Sequence, residues 1–308
     1  MLDPLRLHQG PGLNGLFVNA APLSREYDAD SNMTSYTLRS NYTLHIRGNY
    51  LEHPARLLLK SETLKLLDML VCKLGDSRAS CGVELPLEEF LTLAGYPITE
   101  ANKNAVRPRL QEHTALLGLL SMDWTEGDGR YIHRNVKLFD EINYRNGGVC
   151  AIFGEPMALY LRNCPSMPLP LPLLATGVRA PHMYFLGRRC LLHRAINKGQ
   201  DRSLSVGSLL DACPSIPRPA PEKEWPPSVL ERKVIAPFEA AMKTLADNGI
   251  LPPWKFREPV CRNDYEGFAN SMVEFQTTND TAPTLSAESS ESKEWHDSFN
   301  YDAFLAIR

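Results

Sequence analysis

Apolar residues fall at Val234, Phe238, Ala241 and Leu245, the i, i+4, i+7, i+11 spacing of a single stripe on a 3.6-residue helix. Ser228 and Glu231, just after Pro226 and Pro227, have the spacing of a capping box and predict where that helix starts. Asp247, Asn248 and Gly249 predict its end in a left-handed cap, with Ile250 to Phe256 leaving as an extended segment. The stripe requires burial against something. Arg232, Lys233 and Lys243 fall on the outward side.

A comparable order of patterns occurs earlier, in Asn104 to Trp124. Trp124 follows Pro108 by 16 positions and Trp254 follows Pro237 by 17. Each stretch is preceded by a short amphipathic segment, LPLEEFLTLAGYP at Leu85 to Pro97 and LSVGSLLDACP at Leu204 to Pro214. Ahead of those lie longer apolar helix candidates at Ser61 to Gly75 and His182 to Lys198. The order helix, short helix, longer helix, strand thus occurs twice, which predicts two copies of one module.

The remaining stretches fill in around these copies. Met1 to Tyr36 mixes Gly, Pro, Asn, Asp and Ser with no sustained period and reads as a flexible arm, whereas Tyr42 to Tyr50 alternates like a strand. Leu64, Leu67, Val71 and Leu74 mark one face of the first helix, and Leu87, Phe90, Leu91 and Ala94 that of the second. In the third, Val106, Leu110 and Leu117 face inward. Leu119 to Thr125 and Arg130 to Phe139, joined by Gly127-Asp128-Gly129, predict a hairpin. Gly147 to Arg162 reads as a strand and a helix. Four prolines between Cys164 and Arg179 predict an irregular connector. Val260 to Phe275 predicts a second hairpin turning at Asp264 to Gly267. Gln276 to Glu294, rich in Ser, Thr, Glu and Asp, predicts disorder before the aromatic end at Trp295, Phe299, Tyr301 and Phe304.

The expected fold class is α+β: two tandem winged helix-turn-helix modules, because three helices followed by a hairpin describe that arrangement. The expected boundaries are an arm at 1–40, a first module at 41–163, a connector at 164–180, a second module at 181–275 and an acidic tail at 276–308.

At 308 residues, 43% hydrophobic and 22% charged, the chain can bury substantial cores. No run of about 18 apolar residues occurs and no signal-peptide pattern opens the sequence, so a soluble cytoplasmic protein without a membrane partner is expected. Seven cysteines, with no CxxC pair, argue against a disulfide framework or a zinc finger. The net charge of −3 looks unfavourable for a nucleic-acid binder, but the stretch from Gln276 onward holds six acidic and two basic residues. That leaves +1 for the rest, so DNA binding would have to come from individually placed side chains.

The chain offers little for catalysis. It has no GxxxxGK[ST], GxSxG, HExxH or paired-histidine metal motif. Cys190 and His193 lie at i and i+3 with no third group to orient them, and Cys150 and Cys164 lack a second close pair. No enzyme, cofactor or metal is expected.

With LPLEEFLTLAGYP, AVRPRLQEHTALLGLLSMDW, RNVKLFDEI and GRRCLLHRAI in this order, the layout resembles the tandem winged-helix replication initiators of bacterial plasmids and mobile elements, of the TrfA-like and iteron-binding types. The resemblance implies binding to direct repeats of double-stranded DNA at an origin, help in melting it, recruitment of a host replication initiator and helicase, and exchange with a homodimer. Carried over by position, it implies DNA contacts from Lys103, Asn104, Arg107, Arg109 and Gln111 in the first third helix and from Arg232, Lys233 and Lys243 in the second. Arg188, Arg189 and Arg194 would touch the backbone, and Arg130, Arg134 and Lys137, with His133, decorate the hairpin. A winged-helix transcriptional regulator, and a protein-interaction scaffold that uses the aromatic tail, are the alternatives. Any single hairpin charge is also explained as the solvated side of a half-buried sheet.

Overall fold

The computed structural model describes residues 5–8, 11–17, 23–52, 59–76, 80–126, 129, 131–176, 180–197, 202–219 and 224–276. They fall into two compact units: Leu5–Leu16 with Ala20–Ser166, and Phe17–Asn19 with Met167–Leu285. The class is α+β. Among the described residues no helix is long and apolar enough to cross a membrane. The tail from 277 onward and Arg130 lie outside the described residues.

In the first unit, strand β1 (Leu5–His8) and the short helix α1 (Pro11–Asn14) precede β2 (Ser24–Asp28), β3 (Met33–Arg39) and β4 (Tyr42–Arg47). The expected arm at 1–40 is therefore corrected, since much of it is sheet. On β3 the inward residues are Thr34, Tyr36 and Leu38, a clean alternation that includes a threonine. Thr34 earns its buried place through hydrogen bonds: its Oγ1 donates to Gly48 O at 2.6 Å and accepts from Tyr50 N at 2.9 Å.

Helix α2 (Ser61–Asp76) follows and is buried nearly all round, with Leu64, Leu66, Leu67, Met69, Leu70 and Val71 fully inside. Burial drives the Lys65 ammonium down to about 8, against the opposing pull of Glu62. Next come β5 (Gly82–Pro86), α3 (Leu87–Leu93) and α4 (Glu100–Leu117). Thr99 caps α4 by accepting from Asn102 N at 3.2 Å, and Val106, Leu110, His113, Thr114 and Leu117 are its buried side. Pro108 sits inside the helix at an exposed position.

The hairpin expected after this helix forms, as β6 (Leu120–Glu126) and β7 (Tyr131–Lys137), but it belongs elsewhere. It extends the N-terminal strands into a five-stranded antiparallel sheet of order β2-β3-β4-β6-β7. The strand that follows helix α3 in pattern is instead matched by β8 (Phe139–Arg145) and β9 (Gly148–Phe153), which join β5 in a three-stranded sheet of order β5-β9-β8. Asn146 and Gly147, with φ of 53° and 79°, make the two-residue turn between them. Helix α5 (Glu155–Asn163) closes the unit.

The proline-rich stretch expected to be irregular carries β10 (Ser166–Leu169) and the short helix α6 (Leu171–Leu174), with Met167, Leu169, Leu173 and Leu174 buried. Proline at the start of α6 is compatible with a first helical turn. In the second unit, α7 (Pro181–Ile196) is also buried on all sides, Arg188 and His193 included. Gly187 permits this. A Cβ there would lie 2.6 Å from Leu173 Cδ1 and 3.1 Å from Leu245 Cδ2.

Then come β11 (Ser203–Ser205), α8 (Val206–Asp211), α9 (Pro227–Leu230), a π turn at Glu231–Ile235 and α10 (Ala236–Asp247). The cap of α9 is Pro226 rather than the Ser228–Glu231 box. Pro237 explains the π turn: it has no N–H for Lys233 O, and its ring crowds that carbonyl, so the preceding turn widens until Ala236 N–H reaches Glu231 O. The predicted stripe of Val234, Phe238, Ala241 and Leu245 is buried throughout. Gly249, at φ 67°, ends the helix as expected.

Strands β12 (Trp254–Phe256) and β13 (Met272–Phe275) pair in a sheet of order β11-β13-β12. Between them Asp264 caps helix α11 (Tyr265–Asn270), its Oδ1 accepting from Gly267 N at 2.6 Å. The expected hairpin turn there is thus a helix start. Both units share one order, helix, strand, short helix, long helix, strand, strand, with the first strand paired to the last. The matching Pro-to-Trp spacings do not mark it, because Trp124 lies in the five-stranded sheet.

Candidate nucleic-acid interface

The two long helices before the paired strands, α4 and the run from α9 to α10, present the candidate surface. On α4, Asn104, Arg107, Arg109 and Gln111 are all exposed. Two residues apart, Arg107 and Arg109 point roughly 200° apart around the helix axis, so they flank the outward ridge from opposite sides. Arg107 shares its side with Asn104 and Gln111. In the second unit Arg232 and Lys233 are exposed on the π turn, and Lys233 Nζ stands 5.1 Å from the centre of the Trp225 ring.

Acidic residues also occur on both helices, and each of them is met by a cation. Glu100 pairs with Lys103 at 3.1 Å and Glu112 with Lys60 at 3.3 Å. Glu231 pairs with Arg262 at 2.9 Å, Glu239 with the same guanidinium, and Asp247 with Lys243. Among the described residues Arg107, Arg109 and Arg232 form no ion pair. Such exposed pairs contribute little to stability. Their effect is on the field: the carboxylates are cancelled and the arginines are left over.

Several sequence candidates have other occupations. Lys103, with only 20% of its side chain exposed, holds Glu88 of α3 at 2.7 Å as well as Glu100, and so ties α3 to α4. Hydrogen bonds from both carboxylates raise its pKa. Arg188, expected at a backbone contact, is 3% exposed, its guanidinium 3.4 Å from the centre of the Phe17 ring. Arg189 is half-buried and donates to Ser208 Oγ at 2.8 Å. Arg194 is half-buried too, and burial lowers its pKa against the pull of Cys190. These three are corrected from surface contacts to parts of the packing. Arg134 and Lys137 are exposed, on the edge strand of the five-stranded sheet rather than beside α4's own sheet.

Beneath β7, His133 stacks on Trp124 at 4.3 Å, with its Nε2 3.8 Å from the buried Glu126 carboxylate. Burial lowers its pKa and Glu126 opposes that shift. Cys190 is fully buried, its thiol pushed up to about 12 by burial. Among the described residues no three His, Cys, Asp or Glu side chains form a metal-binding group.

Two features escaped sequence reasoning. Arg262 neutralises two helix carboxylates from a loop, with no local signal to announce it. The β8–β9 turn had one: Asn-Gly between alternating strands is a stronger hairpin mark than Gly-Asp-Gly.

No protein-family model and no curated protein matches the chain. Among solved structures, a selenomethionine crystal structure of domains 2 and 3 of RctB matches with 11% identity, covering 86% of this chain and 99% of that one, at a TM-score of 0.47. A second crystal structure of RctB domains 2-3 matches with 9% identity over 85% and 96%, at a TM-score of 0.38. Both scores fall below the level that marks a shared fold.

Proposed function

We propose that the protein binds double-stranded DNA sequence-specifically through two winged helix-turn-helix modules, and acts as a replication initiator of a bacterial plasmid or mobile element. On this reading α4 and the α9–α10 run are the reading helices, because an α-helix fits the major groove. Arg107, Arg109 and Arg232 are the base-edge and phosphate contacts, joined by Asn104, Gln111 and Lys233. The wing of the first module is the β8–β9 hairpin, with the exposed Arg145 beside its Asn146-Gly147 tip. The observation that carries the reading is the cancellation of every acid on both helices while three arginines stay open. A host replication initiator and helicase are the proposed protein partners.

The test is selection of bound duplexes from a random library, followed by competition binding. An enriched site that recurs as direct repeats beside an A·T-rich stretch supports the initiator reading. Arg107→Ala should then relax particular base positions by about 1–3 kcal/mol. Failure to enrich any sequence would overturn sequence-specific binding.

A further inference from the structure

The run from Pro227 to Asp247 carries three acidic and three basic residues, so its own net charge is zero. The cation that changes this comes from outside the helix. Arg262, in the loop between β12 and α11, places Nη1 3.0 and 2.9 Å from the two Glu231 carboxylate oxygens, and Nη2 against Glu239 Oε1. One guanidinium thereby covers two carboxylates eight residues apart along the helix, one of them next to Arg232 in sequence. Its side chain is 45% exposed, so the clamp lies at the surface, where a ligand's field is felt.

Resting on the DNA-binding reading above, we propose that Arg262 is a positioning residue for a polyanionic ligand. It makes the helix acceptable to phosphate by neutralising Glu231 and Glu239, without itself contacting the nucleic acid. With Arg262 in place the patch is +1 and Arg232 is the charge left over. Without it, two bare carboxylates flank that arginine and repel phosphate. Glu231 held by Arg262 is also fixed away from Arg232, which would otherwise be its nearest cationic neighbour in sequence. The role is distinct from a phosphate contact, because it disappears once the carboxylates do.

The experiment compares the full-length wild type with R262Q, E231Q/E239Q and the triple variant R262Q/E231Q/E239Q. Each is titrated against a short labelled duplex at several salt concentrations, with melting temperatures recorded alongside. R262Q is expected to bind about three- to tenfold more weakly at ~0.1 M salt. The triple variant should recover wild-type affinity or better. R262Q binding like wild type would overturn the proposal. So would a triple variant as weak as R262Q: with unchanged melting it makes Arg262 a direct contact, and with lowered melting a structural residue. A wild type that binds no duplex at any salt overturns the underlying reading and the proposal together.

Discussion

Replacing Arg188 with alanine separates a packing role from a DNA-contact role more sharply than any other single change. The guanidinium is 3% exposed and sits 3.4 Å from the centre of the Phe17 ring, between helix residues that are themselves buried. A desolvated cation–π contact contributes about 2 kcal/mol. Truncation also strips about three methylenes from a buried stem, at roughly 0.8 kcal/mol each. The expected loss is therefore about 4 kcal/mol, large for one substitution and typical of a buried charged site. With a urea slope of about 1–3 kcal/mol/M, the unfolding midpoint of this unit should fall by roughly 1.5–4 M. Urea titration followed by circular dichroism and tryptophan fluorescence reads that shift. Duplex affinity measured on the folded fraction should stay within about twofold of wild type, since a buried cation forms no phosphate contact. An unmoved midpoint together with sharply weaker DNA binding would refute this reasoning and return Arg188 to the surface.

Three further outcomes are expected. Lys103→Ala should loosen the tie between α3 and α4 yet leave the salt slope of DNA binding unchanged, whereas Arg107→Ala should reduce that slope by about one unit; salt titrations of both variants compare them. Acidification should destabilise the first unit: burial depresses the folded-state pKa of His113 and of His133 below the ordinary 6.5. The unfolded chain then binds more protons, so this stability is full above pH 6.5 and is lost as pH falls through the folded values. Urea midpoints at neutral and mildly acidic pH measure it, and a flat profile would contradict it. Gly147→Val should cost about 1–2 kcal/mol, because a β-branched side chain is strained at φ 79°, and a thermal melt reports it.

The central helix was legible in the sequence. Its stripe of Val234, Phe238, Ala241 and Leu245, its glycine stop and the strand at Trp254 all stand where periodicity puts them. The strands before Tyr42 were missed because β3 turns a hydrogen-bonded threonine inward, which a count of apolar residues scores as polar. Helix α7 misled for the opposite reason. Its arginines look like an outward face, but Gly187 lets Leu173 and Leu245 close on the helix and the polar side is buried with the rest. At the candidate site, helix phase alone places Arg107, Arg109 and Arg232 outward. The ion pairs that leave them uncompensated join residues such as Glu231 and Arg262, 31 positions apart, which only the folded chain brings together.

The most direct test of the account is the dependence of duplex affinity on salt for the wild type and for the triple variant R107A/R109A/R232A. The account predicts a steep inverse dependence for the wild type and a slope shallower by about 0.9 for each of the three lost contacts. A wild-type affinity indifferent to salt, or a triple variant with the wild-type slope, would contradict it.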